Sequence, residues 1–283
     1  MTLRNITQII TGQPAVDGAG VRLRRVLGPD NVYDFDPFLM LDSFDSEDPS
    51  DYLAGFPMHP HRGIETITYL LEGAITHEDS LGNRGTIRGG ECQWMTAGSG
   101  ILHQEMPLES PRMLGIQLWL NLPSSKKMTD PSYLSITQKQ IVTAQTASGP
   151  VKVLSGFFRG IHGMIPPHIH ASLYDITLNP GRRLSLSTRE TDTVFLFTLT
   201  GNCLTADHVI PEKSAVLFGS GSQIQLQAPS GHQTRILYAS APPLNEPIAW
   251  GGPIVMNTSD EIRSAFQELR IGQFIRHSAH IIQ

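Results

Sequence analysis

The 283-residue sequence has little of what marks secreted, membrane-spanning or nucleic-acid-binding proteins. Its two cysteines, Cys92 and Cys203, supply no disulfide framework. No apolar run is long enough to cross a bilayer, and the first residues lack the basic segment and apolar run of a secretory signal. The net charge is −5 and basic residues are at most paired, as in Lys126-Lys127, so direct nucleic-acid binding is not expected. These absences predict a soluble protein of the cytoplasm, or of the nucleus in a eukaryote, without a membrane partner.

Short apolar segments separated by turn residues make up most of the chain. It contains 26 glycines and 20 prolines, which punctuate runs with a strand-like pattern. In the first half these runs include TITYLL, AITHED, CQWMT and MLGIQLWLNL, and in the second half ASLYDITL, TVFLFTL, SAVLFG and QIQLQ. Because no strong helical pattern separates them, the sequence predicts an all-β sandwich or barrel.

The two halves resemble each other, which predicts a duplicated β-barrel. TYLLEGAI around Gly73 matches LFTLTGNC around Gly201, and WMTAGSGIL matches VLFGSGSQI. A polar connector over residues 123–150 separates the halves, so we expect domains at residues 1–135 and 136–283.

The end of the second domain differs from the rest because it has a helical pattern. Thr258 and Glu261 have the spacing of a capping box, and Ile262, Phe266 and Leu269 repeat at helical intervals. We expect a short helix at about 259–270 that ends at Gly272 and packs on the body of the protein.

Two pairs of polar residues, each with a spacing of two, predict a metal site. Residues two apart in a strand project to one face, so His59 and His61 point the same way, as do His103 and Glu105. Pro60 lacks an N–H group, which favours an edge or a bulge for the first pair. Three imidazoles and one carboxylate suit one divalent transition metal, with Fe, Zn, Cu, Ni and Mn all compatible, and zinc could close at four ligands as a structural ion.

The 47-residue stretch from His59 to Glu105, HPHRGIETITYLLEGAITHEDSLGNRGTIRGGECQWMTAGSGILHQE, resembles the pirin family of the cupin superfamily. DPFLMLDSF, IQLWLNLPSSKKM and LNEPIAWGGPIVMNTSDEI extend the resemblance over most of the chain. It implies two tandem cupin (jelly-roll) β-barrels, with one metal, usually Fe(II), in the first. The ligands carried over are His59, His61, His103 and Glu105. Glu65 occupies the position of the usual cupin carboxylate, and we expect it behind the ligands or in a strand salt bridge.

The second half is expected to bind no metal. Aligning the two Gly-Ser-Gly turns puts Ile224 and Leu226 where His103 and Glu105 stand. His168 and His170 form a further pair with a spacing of two, but no histidine–carboxylate pair follows at the corresponding turn. We assign this pair to the surface or to a contact between domains.

The resemblance implies an enzyme similar to quercetin 2,3-dioxygenase, which opens the central ring of flavonols with O2. Its partners would be a small flavonol-like aromatic and dioxygen, and Glu105 would remove the substrate proton. Side chains that flank the ligands in sequence are candidates for an apolar pocket wall, although each is equally compatible with an ordinary barrel core. They are Phe56, Met58, Trp94 and Met95.

The resemblance also implies an alternative from another class. Family members are known as redox-sensitive cofactors of transcription and as partners of metabolic enzyme subunits. In such a regulatory protein the oxidation state of iron would bias a surface that binds a protein partner. A third interpretation is a cupin whose metal is purely structural.

Overall fold

The computed structural model describes residues 2–205 and 208–277. In this part the chain forms 26 strands, three short 3-10 turns and one α-helix. Residues 278–283, which the predicted second domain includes, lie outside the described residues. The strands are β1 (Ile6–Thr11), β2 (Gln13–Asp17), β3 (Val21–Leu27), β4 (Phe38–Ser46), β5 (Phe56–His61), β6 (Ile64–Glu72), β7 (Ala74–Asp79), β8 (Arg84–Arg88), β9 (Cys92–Thr96), β10 (Ile101–Leu108), β11 (Met113–Asn121), β12 (Ser132–Ile136), β13 (Val142–Thr146), β14 (Gly149–Ser155), β15 (Phe157–Phe158), β16 (Ile161–His162), β17 (Ser172–Leu178), β18 (Arg183–Ser187), β19 (Thr193–Thr200), β20 (Cys203–Thr205), β21 (His208–Ile210), β22 (Ser214–Phe218), β23 (Gln223–Gln227), β24 (Thr234–Ala241), β25 (Ala249–Gly251) and β26 (Ile254–Met256); the helix is α1 (Ser259–Arg270).

The strands form two barrels with the same strand order. In the first barrel a seven-stranded sheet runs β12-β9-β6-β11-β4-β3-β2 and a four-stranded sheet runs β5-β10-β7-β8. In the second barrel the orders are β1-β22-β19-β24-β17-β14-β13 and β18-β23-β20-β21. Each strand of one barrel therefore has a counterpart in the other. The predicted all-β fold of two tandem cupin barrels is confirmed, and so is the duplication.

The compact units differ from the predicted domains at both ends of the chain. The unit with the first barrel comprises residues 14–32, 38–138 and 244–283, and the unit with the second comprises 1–13, 33–37 and 139–243. β1 is the edge strand of the second barrel, in the place that β12 takes in the first. The prediction placed the N-terminal residues in the first domain and the C-terminal residues in the second, whereas the units have them the other way round. Contacts between segments so far apart in sequence leave no pattern in the local sequence, so the prediction missed them.

The helix has the predicted bounds and caps. Thr258 Oγ1 accepts from the N–H of Glu261 at 3.2 Å, and a Glu261 carboxylate oxygen accepts from the Thr258 N–H at 2.8 Å. Ile262 and Leu269 pack against a cluster that includes Ile254 of β26. The helix thus packs on the body, as predicted, but within the unit of the first barrel. No helix among the described residues is long and apolar enough to span a membrane.

Removal of the capping side chain should loosen α1 locally. We expect Thr258→Ala to destabilise the helix by about 1 kcal/mol, since the N–H of Glu261 loses the hydroxyl oxygen that caps it. Amide hydrogen exchange in α1 should then be about five-fold faster, with Thr258→Ser, which keeps the hydroxyl, as the control. Equal exchange rates in the two variants would contradict the assigned cap.

Candidate metal centre

Two antiparallel strands carry the three histidines predicted to bind a metal. β5 is the edge strand of the four-stranded sheet, the position that Pro60 predicted. His59 lies opposite His103 of the neighbouring β10. The ring centroids of His59 and His103 are 4.4 Å apart, those of His59 and His61 4.8 Å, and those of His61 and His103 5.0 Å. The structure therefore brings the three imidazoles together.

Hydrogen bonds fix the proton positions on His59 and His61. Nδ1 of His59 lies 2.9 Å from the carbonyl oxygen of Pro57, and Nδ1 of His61 lies 2.9 Å from that of Pro253. A carbonyl oxygen only accepts, so both Nδ1 atoms are the protonated donors. In the neutral rings both Nε2 atoms then carry lone pairs, and they lie only 3.0 Å apart. Two lone pairs at this distance repel each other unless they share a cation.

His103 supplies the third candidate ligand nitrogen. Its side chain is fully buried, and neither ring nitrogen has a hydrogen-bond partner among the described residues. Burial, together with the neighbouring imidazoles of His61 and His59, holds the pKa of His103 well below its ordinary value. Burial likewise lowers the pKa of His61 to about 3. Both rings are therefore neutral and available as metal ligands at neutral pH.

These observations fit a divalent transition metal. One nitrogen from each of the three rings lies within 4.8 Å of the other two. Across residues 2–205 and 208–277, no other set of three or more His, Cys, Asp or Glu side chains is gathered in this way. Coordination would remove the repulsion between the Nε2 atoms and give the buried His103 the partner that it lacks.

Glu105, the fourth predicted ligand, lies on β10, the same strand as His103. Its side chain forms hydrogen bonds with residues of other strands. Its buried carboxylate accepts from Thr68 Oγ1 at 3.0 Å, from Gln117 Nε2 at 2.6 Å, and from Gln93 Nε2. The pairing between β10 and β5 shifts register between His103 and Glu105. The group of gathered ligand atoms contains no Glu105 oxygen. Coordination by Glu105 stays a prediction.

The donors to Glu105 belong to a polar row that crosses the seven-stranded sheet. The strand registers align Arg25, Asp42, Gln117, Thr68 and Gln93 on β3, β4, β11, β6 and β9. Gln117 occupies the middle strand, and its amide oxygen accepts from the indole N–H of Trp119 at 3.2 Å. Because the Gln117 amide also donates to Glu105, its orientation is fixed at both ends.

A cavity of about 510 Å³ reaches the site from one side. His59 and His61 line it, and so do the aromatic side chains of Trp119, Trp250 and Phe56. The two indoles stack with centroids 5.7 Å apart and an interplanar angle of 17°. A volume of this size suits a small organic ligand.

Of the four predicted wall residues, Phe56 alone is among those that line this cavity. Met58 is half exposed on the edge strand β5, and Trp94 and Met95 are buried core residues of β9. Met95 packs in the cluster that also contains Trp119. Proximity in sequence to the ligands was the wrong criterion, because the wall comes from other strands. Trp119 shares a strand face with Gln117 in IQLWLN, which is a signal that sequence reasoning missed.

Arg62, next to His61, connects β5 and the turn before β10 to the C-terminal region through hydrogen bonds. Its Nε donates to the carbonyl oxygen of Ser99 at 2.7 Å, in the turn before β10. Its Nη2 donates to Glu268 of α1 at 2.7 Å and to the carbonyl oxygen of Phe274 at 3.1 Å. The Phe274 ring lies under the guanidinium, 4.2 Å from it. Partners of this kind orient metal ligands from behind.

Glu65 forms no ion pair with a described residue, so the expectation of a strand salt bridge is wrong. It lies on β6, fully buried, with one carboxylate oxygen accepting from Thr96 Oγ1 at 2.8 Å. The other oxygen has no partner among the described residues. Burial raises the pKa of Glu65 to about 7, which favours the protonated acid.

The second barrel has an apolar interior at the corresponding positions. Its counterparts of β5 and β10 pair Leu186 with Ile224 and Leu184 with Leu226, all in the hydrophobic core. In the His168 and His170 pair, which was assigned to the surface or to a contact between domains, His170 is exposed and His168 is half-buried. Neither belongs to a gathered ligand set.

Substitution of single histidines should abolish metal uptake. We expect His59→Ala and His103→Ala to lower bound metal from about one ion per chain to near zero, because two imidazoles alone hold the ion weakly. Elemental analysis of the purified variants measures this. The matched control is the double variant His168→Ala/His170→Ala, which should keep its metal. A metal content near one in both single variants would refute the ligand assignment.

The buried acid of Glu65 should make stability pH-dependent. The pKa of Glu65, about 7, lies above the ordinary value for a glutamate. The contribution of this side chain to the free energy of unfolding is therefore fully present below about pH 4.3 and is lost as pH rises through 7. The glutamine in Glu65→Gln cannot ionise. Between pH 5 and 8 the free energy of unfolding of this variant should therefore fall by about 3 kcal/mol less than that of the wild type. Urea unfolding of the metal-free protein measures this, with exposed Glu109→Gln as the control. Parallel curves for the wild type and Glu65→Gln would contradict the assignment.

Sequence and structure comparisons place this site in a known group of proteins. The profile of the family Pirin matches residues 20–120, and that of the Pirin C-terminal cupin domain matches residues 173–275. A Pseudomonas aeruginosa protein named "Putative quercetin 2,3-dioxygenase PA3240" is 41% identical over 280 residues, covering 95% of this chain and 97% of its own. A pirin-like protein of Caulobacter vibrioides is also 41% identical, covering 97% of this chain and 100% of its own.

A solved structure extends the likeness to the fold. The crystal structure of quercetin 2,3-dioxygenase from Acinetobacter baumannii superposes with a TM-score of 0.87 at 31% identity, covering 96% of this chain and 98% of that one. Family profiles, full-length relatives and a gathered histidine cluster in the first of two cupin barrels thus agree. The chain belongs to the pirin family and is a cupin dioxygenase-like pirin.

Proposed function

We propose that this protein is a metal-dependent dioxygenase that opens flavonol-type substrates with O2, in the manner of quercetin 2,3-dioxygenase. The observation that carries the proposal is the cluster of three imidazoles, two of which line an aromatic-walled cavity of about 510 Å³. The relatives named for this activity in Pseudomonas aeruginosa and Acinetobacter baumannii support it.

The donor set suits iron(II), which we propose as the resident metal, and zinc, copper, nickel and manganese remain compatible with it. His59, His61 and His103 would hold the ion, with Glu105 as the fourth ligand. When bound, a metal of this kind polarises a coordinated hydroxyl group and supports chemistry with dioxygen.

The cavity wall would bind and orient a flat phenolic substrate. The faces of Trp119 and Trp250 and the ring of Phe56 supply aromatic surface, and Met40 adds a side chain that adapts its shape. Because His59 and His61 line the same cavity, a bound ring lies beside the cluster and displaces water from it.

Glu105 is the proposed acceptor of the proton from the substrate's 3-hydroxyl group. Its carboxylate accepts hydrogen bonds from the neutral side chains of Thr68, Gln93 and Gln117, which hold it in place behind the cavity. Gln117 both lines the cavity and donates to Glu105, so the carboxylate lies one side chain behind the cavity wall. A small movement would bring it to the substrate.

The overall reaction balances without a further reductant. Both atoms of O2 enter the flavonol, the central ring opens, and one ring carbon leaves as carbon monoxide. Glu105 would return its proton to the ring-opened product, so the residue is unchanged after each turnover.

Carbon monoxide release tests the proposal directly. Iron(II)-loaded protein incubated aerobically with quercetin should release one carbon monoxide per quercetin consumed. His103→Ala should lose at least about a hundred-fold in rate, since metal binding fails. The double variant His168→Ala/His170→Ala should match the wild type. Absence of carbon monoxide with every supplied metal would contradict the proposal and favour the regulatory alternative.

A further inference from the structure

Three charged residues form a second polar feature of the cavity, distinct from the histidine cluster. Asp17, Arg25 and Asp42 all line it. Arg25 holds Asp42 through two parallel hydrogen bonds, from Nε at 2.9 Å and from Nη2 at 2.7 Å. Its Nη2 also donates to Asp17 at 2.6 Å. A guanidinium held by two carboxylates has a fixed orientation.

This triad has hydrogen-bonding capacity left over. Nη1 of Arg25 donates to no described residue, and the side chain is 34% exposed. Asp17 is 48% exposed and accepts from Arg25 and from the Gly18 N–H at 2.7 Å. A carboxylate has about four acceptor sites, so about two remain. The cavity therefore offers free donors and free acceptors side by side.

The position of the triad relative to β5, the strand that carries His59 and His61, is also fixed. Gly18 follows Asp17 with a φ of +59°, and a Cβ atom there would lie 2.6 Å from a Phe56 ring carbon and 2.5 Å from the Gly55 carbonyl oxygen. The turn after β2 thus packs directly against the start of β5, the strand that carries His59. A ligand beside the imidazoles reaches the triad within the same cavity.

The charges of the triad select among ligands. One guanidinium and two carboxylates leave a net charge of −1, which disfavours an anionic group. A phenolic hydroxyl donates to Asp17 while it accepts from Arg25, so it satisfies both free sites at once. An aromatic carboxylate would accept from Arg25 but face Asp17 with like charge.

We propose that Asp17 and Arg25 form a hydroxyl-recognition subsite, so that the cavity selects neutral aromatics with hydroxyl groups on a ring remote from the metal and rejects aromatic acids. The subsite rests on the proposed function in that it names the substrate class of that cavity. Asp17 is its specificity-determining residue, and Arg25 positions it.

Binding calorimetry on the metal-loaded full chain under anaerobic conditions tests the subsite without turnover. The probes are quercetin, which has two hydroxyl groups on its pendant ring, and galangin, which has the same ring system with none there. Wild-type protein should bind quercetin about ten-fold more tightly than galangin, as expected for hydrogen bonds to charged groups. In Asp17→Asn and Asp17→Ala this preference should fall to near one, through weaker quercetin binding.

The control and a third probe complete the experiment. Exposed Glu109→Gln should keep the wild-type preference. Benzoate, which has a carboxylate and no hydroxyl group, should bind wild-type protein weakly and both Asp17 variants several-fold more tightly, because a like charge is removed. An unchanged preference, equal losses for quercetin and galangin, or no quercetin binding would overturn the subsite. Selective binding without carbon monoxide release would instead sustain the subsite and contradict the dioxygenase proposal.

Discussion

The site depends on the convergence of imidazole lone pairs in a buried place that offers them no donor. The Nδ1 protons of His59 and His61 are committed to carbonyl oxygens, so their Nε2 atoms face each other at 3.0 Å, and neither ring nitrogen of His103 has a hydrogen-bond partner within residues 2–205 and 208–277. Each unpaired buried nitrogen costs on the order of 1–3 kcal/mol. A metal bound by the three rings would give the buried His103 a partner and would separate the two facing Nε2 atoms by a cation. Such binding would therefore stabilise this barrel.

The surroundings keep the three rings from relaxing apart. β5 and β10 are paired across the ligands, and Arg62 binds the turn before β10, α1 and the segment after it. Nζ of buried Lys127 donates to the carbonyl oxygens of Gly63 and Val255, each at 2.9 Å, which fastens the chain just beyond His61 to β26. A polar row on the facing sheet holds Glu105. In the second barrel the matching row is aromatic and aliphatic, with Tyr174, Tyr238, Leu196 and Val216 in register. One strand order thus supports a row of amide, hydroxyl and charged side chains in one barrel and a mainly hydrophobic row in the other.

Features set by local pattern were predictable, and features set by distant chain segments were not. Alternation in strands put His59 and His61 on one face, and the capping box located α1 to the residue. The duplicated Gly73 and Gly201, both with positive φ, marked the repeat. The cavity wall was missed because Trp250 reaches it from the C-terminal region, about 190 residues after His61. Contacts between distant segments also place β1 in the unit of the second barrel and α1 in the unit of the first, the reverse of what was expected. Glu105 shows the limit of spacing arguments: β10 keeps its alternation past His103, but spacing alone does not reveal that Thr68 and Gln117 of other strands donate to the Glu105 carboxylate.

Anomalous diffraction from crystals of the metal-loaded protein tests the central claim most directly. The account predicts a single strong anomalous peak per chain, within coordination distance of Nε2 of His59, Nε2 of His61 and one ring nitrogen of His103. A peak at any other set of side chains, or no peak at these rings in protein that retains one metal per chain, would contradict it.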